Sequence, residues 1–303
     1  LTAAPLAAQT FTWDDPVSHY AVHRAATPIA VDGRLDEFAW EGAAQINRFA
    51  RILNDYDPIR RATRARMLWD DDNFYFAFVC QDPDMWAIYD QEDDRLWEEE
   101  VVEVFIDPDG DGQNYLELEV NPLNAVVDLK IYALSPTWHA SVEWDIAGLQ
   151  TAVRAYGTVN DSLDLDLGWI VEIAIPWAAM ADSIDGGGRP RPGHTWRLNL
   201  YRIERSAGRA LKSRINELSS RAAPLREKMA ALLQESGASS GEDLKGKARR
   251  EFDRLQKELE PLQSELEPLQ ERHHRQTEYT AWSETYERGF HHPARFGVVQ
   301  FVE

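Results

Sequence analysis

The chain has 303 residues, 44% of them apolar, with 32 Lys+Arg against 52 Asp+Glu and a formal charge of −20. This composition excludes a disordered or fibrous polymer, and the negative field disfavours nucleic acid and anionic lipid surfaces as partners. No apolar run reaches the roughly 20 residues of a membrane span, and the single Cys80 excludes an intrachain disulfide framework or a thiolate zinc site.

Residues 1–10, Leu1-Thr-Ala-Ala-Pro-Leu-Ala-Ala-Gln-Thr10, are small and apolar and run into the polar Trp13-Asp-Asp-Pro16. They read as the end of a secretory signal peptide, which implies a secreted or periplasmic protein, or else as a disordered N-terminus. From about 26 to 205 the dominant period is two, with short alternating runs bounded by Asp, Gly, Pro and Asn, the pattern of half-buried strands. The runs are Thr63–Trp69, Phe74–Cys80, Val101–Ile106, Tyr115–Val120, Ala125–Ile131, Trp169–Ile175 and Trp196–Ile203, followed near the end by Tyr279–Trp282 and Val298–Val302. Their spacing predicts a mainly β fold, an antiparallel β-sandwich of immunoglobulin or jelly-roll-like type over residues 11–205 plus 277–303.

The period changes over 206–276. Apolar residues fall at Leu211, Ile215, Leu218, Ala222, Leu225, Met229 and Leu232, and resume after a Ser/Gly turn at Leu244, Ala248, Phe252, Leu255, Leu259, Leu262, Leu266 and Leu269. Alternating steps of about three and four predict an inserted α-helical hairpin with a coiled-coil-like seam. Pro224, Pro261 and Pro268 predict kinks or breaks in its arms. Its 14 basic and 12 acidic side chains nearly cancel, so the acidity of the chain belongs to the β part. The hairpin either packs only on itself or serves as a surface for a protein partner or self-association.

The sharpest local motif is Asp107-Pro-Asp-Gly-Asp-Gly112. Its carboxylates Asp107, Asp109 and Asp111, with Gly at position six, match the opening half of a calcium loop, and a polar hairpin turn is the alternative. Leu118 stands where such a loop carries its bidentate Glu, and only one of Glu117 and Glu119 is expected to face the loop's side of the sheet. Trp97 lies amid the acidic run Asp90–Glu100, and with Glu103 and Asn121 it offers a flat ring and polar groups suited to a sugar. No nucleophile elbow, phosphate loop, His-Glu-x-x-His or Cys-x-x-Cys motif is present, so no catalytic residue is assigned. The pair His273-His274 is expected to be solvent-exposed at the end of the helical arm, and His291-His292 is expected in a loop, either contacting a ligand or simply on the surface.

Read in order, Val31-Asp-Gly-Arg-Leu-Asp-Glu-Phe-Ala-Trp40, Ala65-Arg-Met-Leu-Trp-Asp-Asp-Asp-Asn-Phe-Tyr75, Leu96-Trp-Glu-Glu-Glu-Val-Val-Glu-Val-Phe-Ile-Asp107, Asn114-Tyr-Leu-Glu-Leu-Glu-Val-Asn-Pro122, Gly168-Trp-Ile-Val-Glu-Ile-Ala-Ile-Pro-Trp177, Trp196-Arg-Leu-Asn-Leu-Tyr-Arg202 and Pro293-Ala-Arg-Phe-Gly297 resemble carbohydrate-binding module family 9. The resemblance covers roughly 20–205 and 277–303 and leaves out the helical hairpin. It implies a β-sandwich that holds an oligo- or polysaccharide between two aromatic side chains, with calcium ordering loops. Trp97 matches one aromatic and Phe290 falls at the other, where the family pattern has tryptophan. Glu103 and Asn121 match polar positions. Glu119 replaces a basic residue and Glu287 an amide, which removes donors and adds negative charge.

The leading expectation is therefore non-catalytic sugar binding through Trp97, Glu103, Glu119, Asn121, Glu287 and Phe290, in polysaccharide uptake or breakdown. Two other readings are a glycan hydrolase or its accessory module, and a haem-binding redox module on a related sandwich, with Met67, Met85 and the histidines as its only candidate ligands.

Overall fold

The computed structural model describes residues 16–53, 58–134, 137–205 and 208–303; the signal-peptide reading of 1–10 lies outside them. Among the described residues are thirteen strands: β1 (His19–Arg24), β2 (Ala50–Arg51), β3 (Thr63–Trp69), β4 (Asn73–Gln81), β5 (Val101–Asp107), β6 (Tyr115–Val120), β7 (Val126–Ala133), β8 (His139–Ser141), β9 (Gln150–Tyr156), β10 (Gly168–Pro176), β11 (Thr195–Arg205), β12 (Thr277–Ala281) and β13 (Gly297–Val302). Two short helices, α1 (Phe38–Gly42) and α2 (Trp177–Ala181), lie between them, and two long ones, α3 (Gly208–Ser236) and α4 (Gly246–Gln276), separate β11 from β12 in the chain.

The fold is mainly β, as the alternation predicts, but the purely antiparallel arrangement is corrected. Hydrogen bonds join the strands in one mixed, curled sheet, in the order β8-β7-β6-β5-β11-β13-β1-β3-β4-β10-β9, with β12 bonded to β11 and β2. β1 runs parallel to both neighbours, pairing His19 with Val298 on β13 and His23 with Leu68 on β3. β2 and β8 escape the sequence pattern because they are two and three residues long, β9 because it has no fully buried residue, and β1 because only Tyr20 and Val22 of its six residues are buried.

One apolar core draws on both halves of this path, with Met67, Phe76 and Phe78 of β3 and β4 meeting Val104 of β5, Leu118 of β6, Val171 of β10 and Leu200 of β11. A single flat sheet could not bring these strands together, so the curl follows from the contacts. A second cluster lies on the opposite face of β5, β6, β7 and β11 and contains Phe105, Tyr115, Val127, Leu129, Tyr201 and Ile203. The members of the first cluster on β5 and β6 carry even numbers and those of the second on the same strands are mostly odd, because successive side chains leave a strand on opposite faces. β5 and β6 are thus buried on both sides, not half-buried, and the odd-numbered face carries Glu103, Glu117 and Glu119. Met67 and Met85 are fully buried in the first core.

The chain divides into two compact units, one of residues up to 204 with 278–303, and one of residues 205–277. In the second unit Leu211, Ile215 and Leu218 of α3 bury against Leu266 of α4, with Leu262 and Leu269 alongside. Both helices run unbroken through their prolines. Pro224, Pro261 and Pro268 are exposed, and the carbonyls they leave without an intrahelical donor belong to Ser220, Lys257 and Ser264, which are exposed too. Water can satisfy those groups, so the usual penalty of an interior proline is softened.

Candidate functional site

The odd-numbered face of β5, β6 and β11 forms the floor of a cleft of about 610 Å³. Its lining includes Trp97, Glu103, Phe105, Glu117, Glu119, Trp138, Tyr279, Arg288, Phe290 and His291. Trp97 is carried by a single 3-10 turn, Leu96–Glu98, whose Leu96 is completely buried while Trp97 remains 40% exposed. One residue anchors the turn in the core and the next is presented outward.

Phe290 is held by the sheet beneath it. Its ring stacks on Tyr201 at 4.2 Å with an interplanar angle of 7°, and the Tyr201 hydroxyl donates to the Phe290 carbonyl at 2.8 Å. His291 follows, with Nδ1 2.7 Å from the Tyr115 hydroxyl and Nε2 3.6 Å from Glu117 Oε2. Burial pushes its pKa down to about 4, so the imidazole is neutral at pH 7 and adds no positive charge. Trp138, 51% exposed, meets His291 edge-on at 4.4 Å.

The floor is acidic. Glu103 stands directly opposite Glu119 in the β5–β6 ladder and Glu117 opposite Phe105. Glu117 and Glu119 are two residues apart and project from the same face, which corrects the expectation that only one of them does. Burial, with the charges of Glu103 and Glu117 adding to it, holds Glu119 well above the ordinary carboxylate range, and burial pushes Glu117 up to about 8.

Of the residues expected at a sugar site, Trp97, Glu103, Glu119 and Phe290 meet in this cleft, whereas Asn121 and Glu287 do not line it. The Asn121 amide is used inside the protein. Its Nδ2 donates to the Tyr89 carbonyl at 2.8 Å and to Glu99 at 2.7 Å, and its Oδ1 accepts from the backbone N–H of Leu123 and Ala125. Glu287 is exposed, 3.7 Å from His292 Nδ1. Sequence reasoning missed Glu117, Trp138, Tyr279 and Arg288. Only Glu117 leaves a signal, as an acid two places before Glu119 in a strand whose intervening residues are apolar.

Asp107, Asp109 and Asp111 each offer a carboxylate oxygen within 4.8 Å of the others. Asp107 accepts from the N–H of Gly110 at 3.0 Å and of Gly112 at 2.9 Å, and burial pushes its carboxyl up to about 7. These oxygen donors suit a hard cation, and no ion pair with Lys, Arg or His neutralises them among the described residues.

The fold is of the mainly β class with an acidic cleft lined by aromatic side chains, and comparison with known proteins gives its family. The model of the carbohydrate family 9 binding domain-like family matches residues 31–194, and the chain belongs to that family. An endo-1,4-beta-xylanase A from Thermotoga neapolitana is 26% identical over 168 residues, covering 54% of this chain and 13% of that enzyme, and one from Thermotoga maritima is 29% identical over 97 residues, 32% of this chain and 8% of the enzyme. The chain thus spans only a small part of these relatives. A solved candidate carbohydrate-binding protein from Bacteroides uniformis shares the fold with a TM-score of 0.55 at 14% identity, covering 94% of this chain and 99% of that one. A family 9 carbohydrate-binding module from Caldicellulosiruptor kristjanssonii, solved with cellotriose, gives 0.49 at 14% identity, with 94% of each chain covered. No helix among the described residues is long and apolar enough to cross a membrane.

Proposed function

We propose that this chain is a non-catalytic carbohydrate-binding protein that works outside the cytoplasm and holds an oligosaccharide in the cleft beside Trp97 and Phe290. The observation that carries this reading is the cleft itself: exposed aromatic faces above buried carboxylates, in a member of the carbohydrate family 9 binding domain-like family. Ring C–H bonds stack on the aromatics, and hydroxyls donate to Glu103 and Glu119. Asn121 stabilises the Leu96–Glu98 turn from behind through Glu99, and Glu287 has no direct part.

Replacing Trp97 with alanine tests this. With 40% of the residue already exposed, its loss is expected to leave the thermal midpoint within about 2 °C, since exposed sites contribute little to stability. Affinity for neutral oligosaccharides, measured by isothermal titration, is expected to fall at least about tenfold, roughly 1.4 kcal/mol. A large drop in midpoint with unchanged affinity would make Trp97 a packing residue and remove the site. Titration of intact against borohydride-reduced sugars shows whether a reducing end is read.

The same proposal includes a calcium ion on Asp107, Asp109 and Asp111. Millimolar calcium is expected to raise the thermal midpoint by several degrees and chelator to reverse it, with no response in Asp107→Asn. An unchanged midpoint would leave the loop as a polar turn only.

A further inference from the structure

The most exposed large apolar side chains among the described residues are Leu163, Leu165 and Leu167, at 95%, 80% and 76%, and all three lie in the connection from β9 to β10. Polar residues of the same segment hold it in place. Asp166, buried between two of the leucines, accepts from the N–H groups of Met85 and Thr158, each at 2.8 Å. Asn160 donates its N–H to the Met85 carbonyl at 2.8 Å and accepts from the Ala87 N–H at 3.1 Å. Gly157 has to be glycine, since its φ is +147° and an added Cβ would collide with the Asp166 carboxylate. Leucines held in water by so firmly pinned a segment add nothing to the core, and such an apolar patch marks an interaction surface.

A second cleft, of about 340 Å³, adjoins this segment, with Leu167 and Tyr156 in its lining. Val79 of β4 and Ile170 of β10 stand opposite each other in it, and the same cross-strand row ends in Arg64 on β3 and Arg154 on β9. Neither arginine has a carboxylate partner among the described residues; Arg154 lies over the Tyr156 ring at 5.4 Å. The charged residues among the leucines, by contrast, are acids, and Asp161 and Asp164 are exposed. An apolar cleft flanked by arginines therefore lies next to an apolar segment flanked by aspartates. Each is the complement of the other in both hydrophobicity and charge.

We propose that this surface binds a second copy of the chain, the leucine segment of each copy seated in the arginine-flanked cleft of the other about a two-fold axis. In a two-fold interface every contact occurs twice with the roles exchanged, so a segment and a cleft that adjoin on one molecule are both filled by one partner. Leu163 and Leu165 then cover the apolar lining, and Asp161 and Asp164 meet Arg64 and Arg154. A small acidic ligand would leave the leucines in water, and a purely apolar partner would leave the arginines unmatched. The net charge of −20 makes two copies repel at a distance, but physiological salt screens this beyond about 8 Å, so the local pairing decides. Each dimer carries two Trp97 clefts, which share no lining residue with this one.

The experiment is sedimentation velocity of the full chain at concentrations up to about 100 µM, in about 0.15 M salt. The wild-type chain is expected to form a reversible dimer. Leu165→Asp, which puts a carboxylate into the apolar contact, is expected to raise the dimer Kd at least about tenfold. Two charge-reversed chains test the reciprocal seating. Arg64→Glu with Arg154→Glu sets an acidic cleft against an acidic segment, and Asp164→Arg sets a basic group against the arginines. Each alone is expected to weaken self-association at least about tenfold, whereas an equimolar mixture of the two recovers it, because both contacts of the mixed dimer join opposite charges. A wild-type chain that stays monomeric overturns the inference, as does a dimer that Leu165→Asp leaves intact. A mixture that does not recover overturns the reciprocal seating. If a charge-reversed chain does not fold, the wild-type chain and Leu165→Asp decide.

Discussion

Glu172→Ala is expected to lower the unfolding free energy by about 3–5 kcal/mol, the scale of a broken buried polar network. Glu172 sits on β10 with no exposed surface. Its Oε2 accepts from the consecutive backbone N–H groups of Asp32 at 3.0 Å, Gly33 at 2.8 Å and Arg34 at 3.1 Å, and its Oε1 from the Trp40 indole at 2.9 Å. Three successive amides curled around one carboxylate make an anion nest. The turn that forms it needs glycine, since Gly33 has φ +81° and an added Cβ would lie 3.0 Å from Arg154 Cβ. Trp40, 1% exposed, packs with Leu68, Tyr75 and Ala174, so the clamp fastens the segment after β1 onto the sheet.

Burial raises the Glu172 pKa despite those four donors, so the clamp does not act by favouring ionisation. Its contribution is to pair donors that alanine would leave stranded. Glu172→Gln keeps the shape but turns an N–H₂ toward one set of donors, and is expected to lose about 2 kcal/mol. Urea unfolding measures both variants, and a loss under about 1 kcal/mol for alanine would show that water replaces the carboxylate.

Arg202→Leu is expected to cost about 3–5 kcal/mol at pH 8, because it leaves buried carboxylates without their counter-charge. Arg202 and Asp82 are each 1% exposed, with Nη2 3.2 Å from Oδ2, and Nη1 donates to the Gln81 carbonyl at 2.9 Å. Glu100 and Glu204 are also buried, and their carboxylates lie within 4.8 Å of Asp82 and of each other. Burial works against the guanidinium charge, while Cys80, Asp82, Glu100 and Glu204 around it hold its pKa above the ordinary value.

The sign of the pH dependence follows from Glu100, whose pKa is raised well above its ordinary value by burial and by Asp82. A carboxyl raised in the folded state contributes stability below its unfolded pKa, near 4, and that contribution is lost as pH rises through the folded one. Arg202 lowers the Glu100 pKa, so without it Glu100 shifts further upward and the deficit of the variant is expected to be smaller at pH 5 than at pH 8. Urea midpoints at the two pH values check this. A deficit independent of pH would mean that the packing of Arg202 over Trp169, 5.9 Å from the ring centroid, outweighs its charge.

Much of the fold was legible in the sequence because the signals are local. Tyr115–Val120 appears with the ends that alternation predicts, and Thr63–Trp69 does as well. The leucine steps of 206–276 become α3 and α4, because three-four spacing puts those residues on one face of a helix wherever it packs. The family motifs were legible as strings but not as contacts: nothing local to Val31–Trp40 reveals that Glu172, 139 positions after Gly33, holds it.

By itself, then, the sequence determined the β class, the helical stretch between β11 and β12 and the family, since period, turn residues and motif order act over a few positions. Only the tertiary structure decided the parallel placement of β1, the curl that merges both halves of the sheet into one core, and the contents of the cleft. Asn121 and Glu119 are two residues apart, yet one spends its amide on Tyr89 and Glu99 while the other reaches the floor with an oxygen left over. Which of them can meet a ligand depends on the partners that distant strands bring within about 3 Å, and short-range pattern carries no record of those partners.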